Sequence, residues 1–301
     1  NYFNMFWAMP SVALSGSNAT GAWMKEFGSW YFDLARCWDG SYPHQGPPEN
    51  EHDSFYGFDA TGTYLVAYAM PLKKIRLTGA GQSVVPNLDA VAAESLIADG
   101  RGWDNKDRHS VYDKFTVDQL VERLGSWSPI VRERAAMAIG RRRDVPVSTI
   151  VELLDSPSLD ARYGACQALS KLGRRAESAV EPLQRCLDGQ DLWLRVSAAE
   201  SLAKIGPVAK TTVPKLLDLL AQVDTVNDPR GMQQRYLTFA LFEGDGMLGG
   251  SLDGVDREAL YNAVRAGLKN QDGRARGSLS SVYRNLSAQE IKPLLPAIYQ
   301  A

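Results

Sequence analysis

Three segments of this chain can be laid over one another. They run from Val131-Arg132 to Gly140, from Ala161-Arg162 to Gly173, and from Leu194-Arg195 to Gly206. The step from Arg162 to Arg195 is 33 residues, and the step from Asp155 to Asp188 is 33 again. A fixed period in this range is the mark of stacked helical pairs, in which no single repeat buries its own apolar face. The period therefore dictates an all-α superhelix for the middle of the chain. It says much about shape and little about chemistry.

The repeats begin at Thr116, where Thr116 and Gln119 stand at capping-box spacing. The spacing predicts helical pairs over about 117–124 and 130–140, 146–154 and 161–172, and 179–187 and 192–205. Pro146, Pro182 and Pro214 fall in first turns, where a missing N–H is harmless. Gly173 and Gly206 suit left-handed C-terminal caps. The fourth pair, about 213–221 and 231–242, breaks step through an insertion at 223–229, and a Gly-rich loop follows over 243–254. A fifth pair is expected over 255–268 and 274–286. A closing helix over 288–299 is announced by Ser287 and Glu290.

Upstream, residues 1–80 are rich in aromatic residues and glycine. Helices are expected over 1–14 with a kink at Pro10, over 20–36 and over 59–70, with a short strand at 73–78. Residues 81–115 read as a connector carrying a short helix near 91–97. The division expected is 1–80, 81–115 and 116–301. The aromatic start, Tyr2-Phe3-Asn4-Met5-Phe6-Trp7, reads like the interior of a domain, so a longer, processed parent is expected.

Composition excludes some functions. Formal net charge is −2, so there is no global pull toward nucleic acid or anionic membrane. No apolar run reaches the roughly 18 residues that span a bilayer. The three cysteines, Cys37, Cys166 and Cys186, show no metal-finger spacing. Cys166 and Cys186 read as buried small hydrophobes. Three thiols leave the compartment open, export with a longer parent included.

Two resemblances add to this reading. The pattern Leu154-Asp155, Asp160-Ala161-Arg162, Ala165, Ala168-Leu169 and Leu172-Gly173 resembles the HEAT-like repeat, in the short variant known from the phycobilisome-lyase type. Leu187-Asp188, Leu194-Arg195, Ala198-Ala199, Leu202 and Ile205-Gly206 repeat it. This resemblance covers about 116–300. It implies a solenoid with a recognition surface, in which the Arg opening each second helix reaches the Asp of an adjacent inter-helix turn. Lyase activity does not follow from it. Trp38-Asp39-Gly40-Ser41-Tyr42 resembles the loop motif of terpene-cyclase-like α/α toroids. The longer run from Trp30 to Lys73 is similar to an uncharacterised bacterial family in which a toroid precedes HEAT-like repeats. With no DxDD-type motif, a cyclase activity is not implied.

The candidate site for chemistry is the loop 38–59. Asp39, Glu51 and Asp53 are candidate catalytic acids. Trp38, Tyr42, His44, His52 and Tyr56 are candidate ligand-binding residues, because carboxylates beside aromatic platforms suit carbohydrate. His44 and His52 with a carboxylate are candidate metal ligands. The alternative for the same loop is a solvated turn with Asp39 and Asp59 as caps. On the solenoid, Trp127 and Trp193 are expected in inter-helix turns at matching repeat positions. Exposed there, they would anchor a partner; folded back, they would pack repeats together. Arg142, Arg143, Arg174 and Arg175 lie at the ends of second helices, as a basic ridge or as cations offsetting the helix dipole.

The sequence thus points to a non-catalytic binding or scaffold protein whose solenoid meets another protein, with no cofactor expected. The alternatives are a carbohydrate-active or related enzyme with its site in loop 38–59, and nucleic-acid binding on the Arg ridge.

Overall fold

The computed structural model describes residues 2–28, 32, 33, 42, 61–72, 87–100, 111–244 and 246–301. Every regular element among them is helical. Two compact units divide the chain, Asn1–Val111 and Tyr112–Ala301.

The first unit contains α1 (Tyr2–Ala13), α2 (Ser17–Phe27), α3 (Thr61–Ala69) and α4 (Ala90–Gly100). Helix α1 continues through Pro10. The turn into α2 is made at Gly16, whose φ of +93° suits glycine alone. Helix α2 therefore opens at Ser17, earlier than the aromatic spacing had placed it. Met9, Trp23, Phe32, Tyr42, Tyr64 and Ala67 form the core of this unit. Helix α4, expected as part of a connector, packs on α2. There Asn18 donates to the Leu88 carbonyl at 3.1 Å. The strand expected at 73–78 lies outside the described residues, as does Cys37.

The second unit is a run of helical pairs. The first helices are α5 (Val117–Leu124), α7 (Val147–Glu152), α9 (Val180–Cys186), α11 (Val213–Ala221) and α13 (Arg257–Leu268). Their partners are α6 (Pro129–Arg141), α8 (Leu159–Leu172), α10 (Leu192–Ile205), α12 (Met232–Phe242) and α14 (Gly273–Ser278), the last continued by α15 (Ser280–Asn285). Short α16 (Ala288–Ile291) and α17 (Leu295–Gln300) close the chain. The single closing helix expected at 288–299 is broken by a 3-10 turn at Lys292–Leu294. Both capping boxes, Thr116 with Gln119 and Ser287 with Glu290, are present. Gly173 and Gly206 end α8 and α10 with φ of +57° and +91° but ψ of −131° and −142°, so they make positive-φ turns and not the left-handed helical caps expected.

The second helices stack as one layer, α6 on α8 on α10 on α12 on α14. Small buried residues let them approach: Ala135 and Ala136, then Ala165 and Cys166, then Ala198 and Ala199. The Ser201 hydroxyl donates across the layer to the Cys166 carbonyl at 2.7 Å. Burial pushes the Cys166 thiol well above its usual range, so it acts as a packed hydrophobe.

One position ties the layer together. The fourth residue of each second helix is an arginine: Arg132, Arg162, Arg195, Arg235 and Arg276. Arg132 folds back onto the Ser126 and Trp127 carbonyls at 2.6 and 3.0 Å. Arg195 does the same to the Gly189 and Gln190 carbonyls, both at 2.8 Å. Arg276 holds the Asn270 carbonyl at 2.6 Å. Several then reach forward to the start of the next second helix. Arg132 meets Asp160 at 2.7 Å, Arg195 donates to Gln233 at 2.7 Å, and Arg235 meets Asp272 at 2.8 Å. Between the second and third pairs Tyr163 takes this role, donating to Asp191 at 2.7 Å. The expected ladder thus uses different acceptors. They cap or begin the next second helix, whereas Asp188 pairs with Lys215. The reason is reach: a guanidinium in the first turn of one helix lies beside the first turn of its neighbour.

Candidate functional site

Of the loop expected to carry chemistry, Trp38, Asp39, His44, Glu51, His52, Asp53 and Tyr56 lie outside the described residues. Tyr42 is described and is 7% exposed. Its ring stacks on Tyr64 with centroids 5.0 Å apart, and its backbone N–H donates to the Thr61 hydroxyl at 2.9 Å. Tyr42, expected as an open platform for a ligand, is here a core residue, because both its ring face and its backbone are engaged. Next to it the Tyr68 hydroxyl donates to Asp33 at 2.5 Å. Burial, then this hydrogen bond, pushes the Tyr68 hydroxyl far up, so it stays protonated. Among the described residues no group of three or more His, Cys, Asp or Glu is arranged to hold a metal ion.

On the solenoid the arginines at helix ends divide into two classes. Arg142 pairs with Asp144 at 2.7 Å and donates to the Phe115 carbonyl at 2.9 Å. Arg175 donates to the Gly140 and Arg142 carbonyls, capping the end of α6. Arg175 thus satisfies carbonyls at the end of α6, as cations at C-termini do, whereas Arg142 ties the end of α6 to the residue before the α5 cap. Arg143 and Arg174 are exposed. Arg142 and Arg175 are therefore not free members of a basic ridge.

The tryptophans do not occupy matching positions. Trp127 precedes the N-cap residue Ser128, whereas Trp193 is the second residue of α10. The equivalent of Trp193 in α6 is Ile130. All three are open to solvent: Trp127 is 61% exposed, Ile130 51% and Trp193 47%. Trp193 meets Tyr236 of α12 edge-on at 5.8 Å, and Tyr236 meets Phe239 in the same manner at 5.8 Å.

Tyr236 and Phe239 of this row form one wall of a slot of about 460 Å³ between α10 and α12. Val196, Glu200 and Ala203 face it from α10, and Tyr236, Phe239 and Glu243 from α12. Taking the Arg positions as register, Phe239 stands where the earlier helices carry Ala136, Cys166 and Ala199. A half-buried ring thus stands at the small-residue position and lines the slot. Sequence reading missed these residues because the insertion moves Arg235 out of the repeat period. The signal that finds them is the Arg itself, fourth in its helix.

A second groove, of about 800 Å³, lies beside the insertion, lined by Gln190, Lys215, Asp224, Asp228 and Gln271 among others. Many of its polar groups are spent internally. Asp228 accepts from the Met232 and Gln233 N–H groups at 2.7 and 2.8 Å. Gln234 donates to the Leu220 and Gln222 carbonyls at 3.2 and 3.4 Å, finishing α11.

Comparison with known proteins gives two matches. Residues 117–203 match the family model for HEAT repeats. Residues 1–79 match the model of a domain of unknown function, DUF6288. No curated protein matches the chain. No helix among the described residues is long and apolar enough to cross a membrane.

Proposed function

We propose that the chain is a non-catalytic binding or scaffold protein whose helical repeats engage another protein. The observation that carries this reading is the set of solvent-open aromatic side chains on the second-helix layer, Trp127 and Trp193 above all. Tryptophan is costly to leave in water and is enriched where partners bury it, so two on one edge suit anchors. Proteins with HEAT repeats commonly work in this way. Residues 1–80 are read as the closing part of an α/α toroid, a reading supported by their helices and aromatic core.

The test is affinity capture with three baits: the full chain, Trp127→Ala/Trp193→Ala, and Asp39→Ala/Glu51→Ala. Truncating a buried anchor costs ~2 kcal/mol or more, a loss of about 30-fold in affinity. The expected result is a protein retained by the full chain and by Asp39→Ala/Glu51→Ala but lost from the tryptophan variant. The opposite pattern would overturn this reading in favour of a site in loop 38–59.

A further inference from the structure

We infer that the slot between α10 and α12 is a docking site for a basic segment of a protein partner, one that places an apolar side chain and a Lys or Arg side by side. The inference rests on the binding role proposed above and gives that partner a chemical class.

The slot has an apolar part and a charged part. Its inner surface is Val196, Ala203 and Ala240, each less than a tenth exposed, with the half-buried rings of Tyr236 and Phe239 beside them. The exposed carboxylates of Glu200 and Glu243 stand on opposite helices at its margin. Among the described residues neither glutamate has a counter-ion. The nearby cations are already taken. Arg235 stacks over Tyr236 and Phe239 with its guanidinium 5.3 and 5.8 Å from the ring centroids, and its charge is met by Asp272 at 2.8 Å. Lys204, which also lines the slot, has a partner of its own. Two carboxylates outside any direct ion pair, flanking an aromatic wall, attract a cation and repel an acid. An occupant that is only apolar leaves Glu200 and Glu243 partly desolvated and unpaired, which costs binding energy. An acidic occupant adds repulsion to that cost. A side chain with a long apolar stem and a cationic head satisfies both parts.

The slot is continuous with the anchor already described, because Trp193 packs edge-on against Tyr236. A partner covering Trp193 therefore extends into the slot along α10, where Trp193, Val196 and Glu200 share one helical face.

The test uses the full chain and two fluorescein-labelled dodecapeptides, one alternating Leu and Lys, the other alternating Leu and Glu, followed by anisotropy at near-physiological salt. The Leu/Lys peptide is expected to bind and the Leu/Glu peptide not. Glu200→Gln/Glu243→Gln should weaken the Leu/Lys peptide by roughly tenfold or more. Glu152→Gln/Glu181→Gln, which removes two exposed acids from other helices, should leave it unchanged. All four positions are exposed, and thermal melts check that each variant is folded. Equal loss in both variants would mean general attraction to a cation and would overturn the site. Retained affinity in Glu200→Gln/Glu243→Gln, or no binding of the Leu/Lys peptide, would overturn it as well. Preference for the Leu/Glu peptide would reject the basic class while leaving the binding role standing. The capture experiment decides that role independently.

Discussion

Gly164 is the position where the repeat stack has least room. A Cβ built there overlaps the carbonyl oxygen of Leu124 and comes within 2.7 Å of its carbonyl carbon. Leu124 is the last residue of α5, so the obstacle is main chain rather than the end of a flexible side chain. Gly164→Ala must therefore push α8 away from α5. Overpacking of this kind costs about 1–3 kcal/mol, and the upper part applies because the obstacle is backbone. Against it stands the gain of roughly 1 kcal/mol from replacing glycine by alanine inside a helix. The net expectation is a loss of about 2 kcal/mol. For a unit of this size each kcal/mol moves the melting temperature by about 2–4 °C. A fall of about 4–8 °C should appear in calorimetry of the full chain, in the transition of the unit Tyr112–Ala301. Gly277→Ala is the internal control, since a Cβ there meets nothing within 4 Å. It should raise the same transition by about 1–4 °C through propensity alone. If Gly164→Ala behaved like Gly277→Ala, the close approach of α5 and α8 would be wrong.

Two further perturbations address the ladder and the C-terminal cap. Arg132→Ala removes a guanidinium whose side chain is only 9% exposed and leaves the Ser126 and Trp127 carbonyls and Asp160 without it. The cost should be about 2 kcal/mol in urea unfolding, and Arg132→Lys should recover only part, since an ammonium does not reproduce the guanidinium fork. A shift under ~0.5 kcal/mol would make the ladder decorative. The Ser287 hydroxyl, the Ser287 backbone N–H and then Arg257 hold the Glu290 carboxyl down at about 2. A depressed pKa gives stability that is complete above the unfolded value near 4.5 and lost as pH falls toward 2. Wild type should therefore melt above Glu290→Gln at pH 6, with the gap closing between pH ~5 and ~2. A gap independent of pH would show that the charge plays no part.

The architecture was legible because it is written locally. Caps at Thr116 and Ser287, glycines at 173 and 206, and alanines on one helix face each have a short-range cause. Helix ends shifted where tertiary contacts or backbone conformation intervened, as at Gly16. The ladder was legible in its donors but not in its acceptors. Spacing cannot tell which of Asp155 and Asp160 faces Arg132; the stacking of first turns decides for Asp160. Tyr42 read as a site residue because composition groups it with acids and histidines, yet its neighbour in space is Tyr64, 22 positions on in the chain. Trp127 and Trp193 read as equivalent because both follow a turn, but one lies outside its helix and the other inside. Helix register, which a period of 33 does not specify, separates them.

The arginine positions explain why the slot falls where it does. The arginines fourth in their helices are Arg132, Arg162, Arg195, Arg235 and Arg276, so the later steps are longer than the repeat period. The added residues lie in loops at both ends of α12, leaving the helices themselves in register. Arg195 still reaches Gln233, and Arg235 still reaches Asp272. The stack therefore keeps its spacing at the turn edge, where the ladder holds it. Farther along, the Ser201 hydroxyl ties α10 to the Cys166 carbonyl of α8 and the Ser281 hydroxyl ties α15 to the Phe242 carbonyl of α12, whereas among the described residues no such bond joins α10 to α12 there. Ile139, Leu169, Leu202 and Phe242 fill one buried position in the same register, so α12 retains its inner face. Its departure is Phe239, a ring where the preceding helices carry Ala136, Cys166 and Ala199. Helices α10 and α12 are thus joined by the Arg195–Gln233 hydrogen bond at the turn edge, and beyond it the slot between them is lined by this ring. Glu200 and Glu243 flank that ring at the slot's margin, so specificity for a partner can arise from one enlarged position without disturbing the ladder.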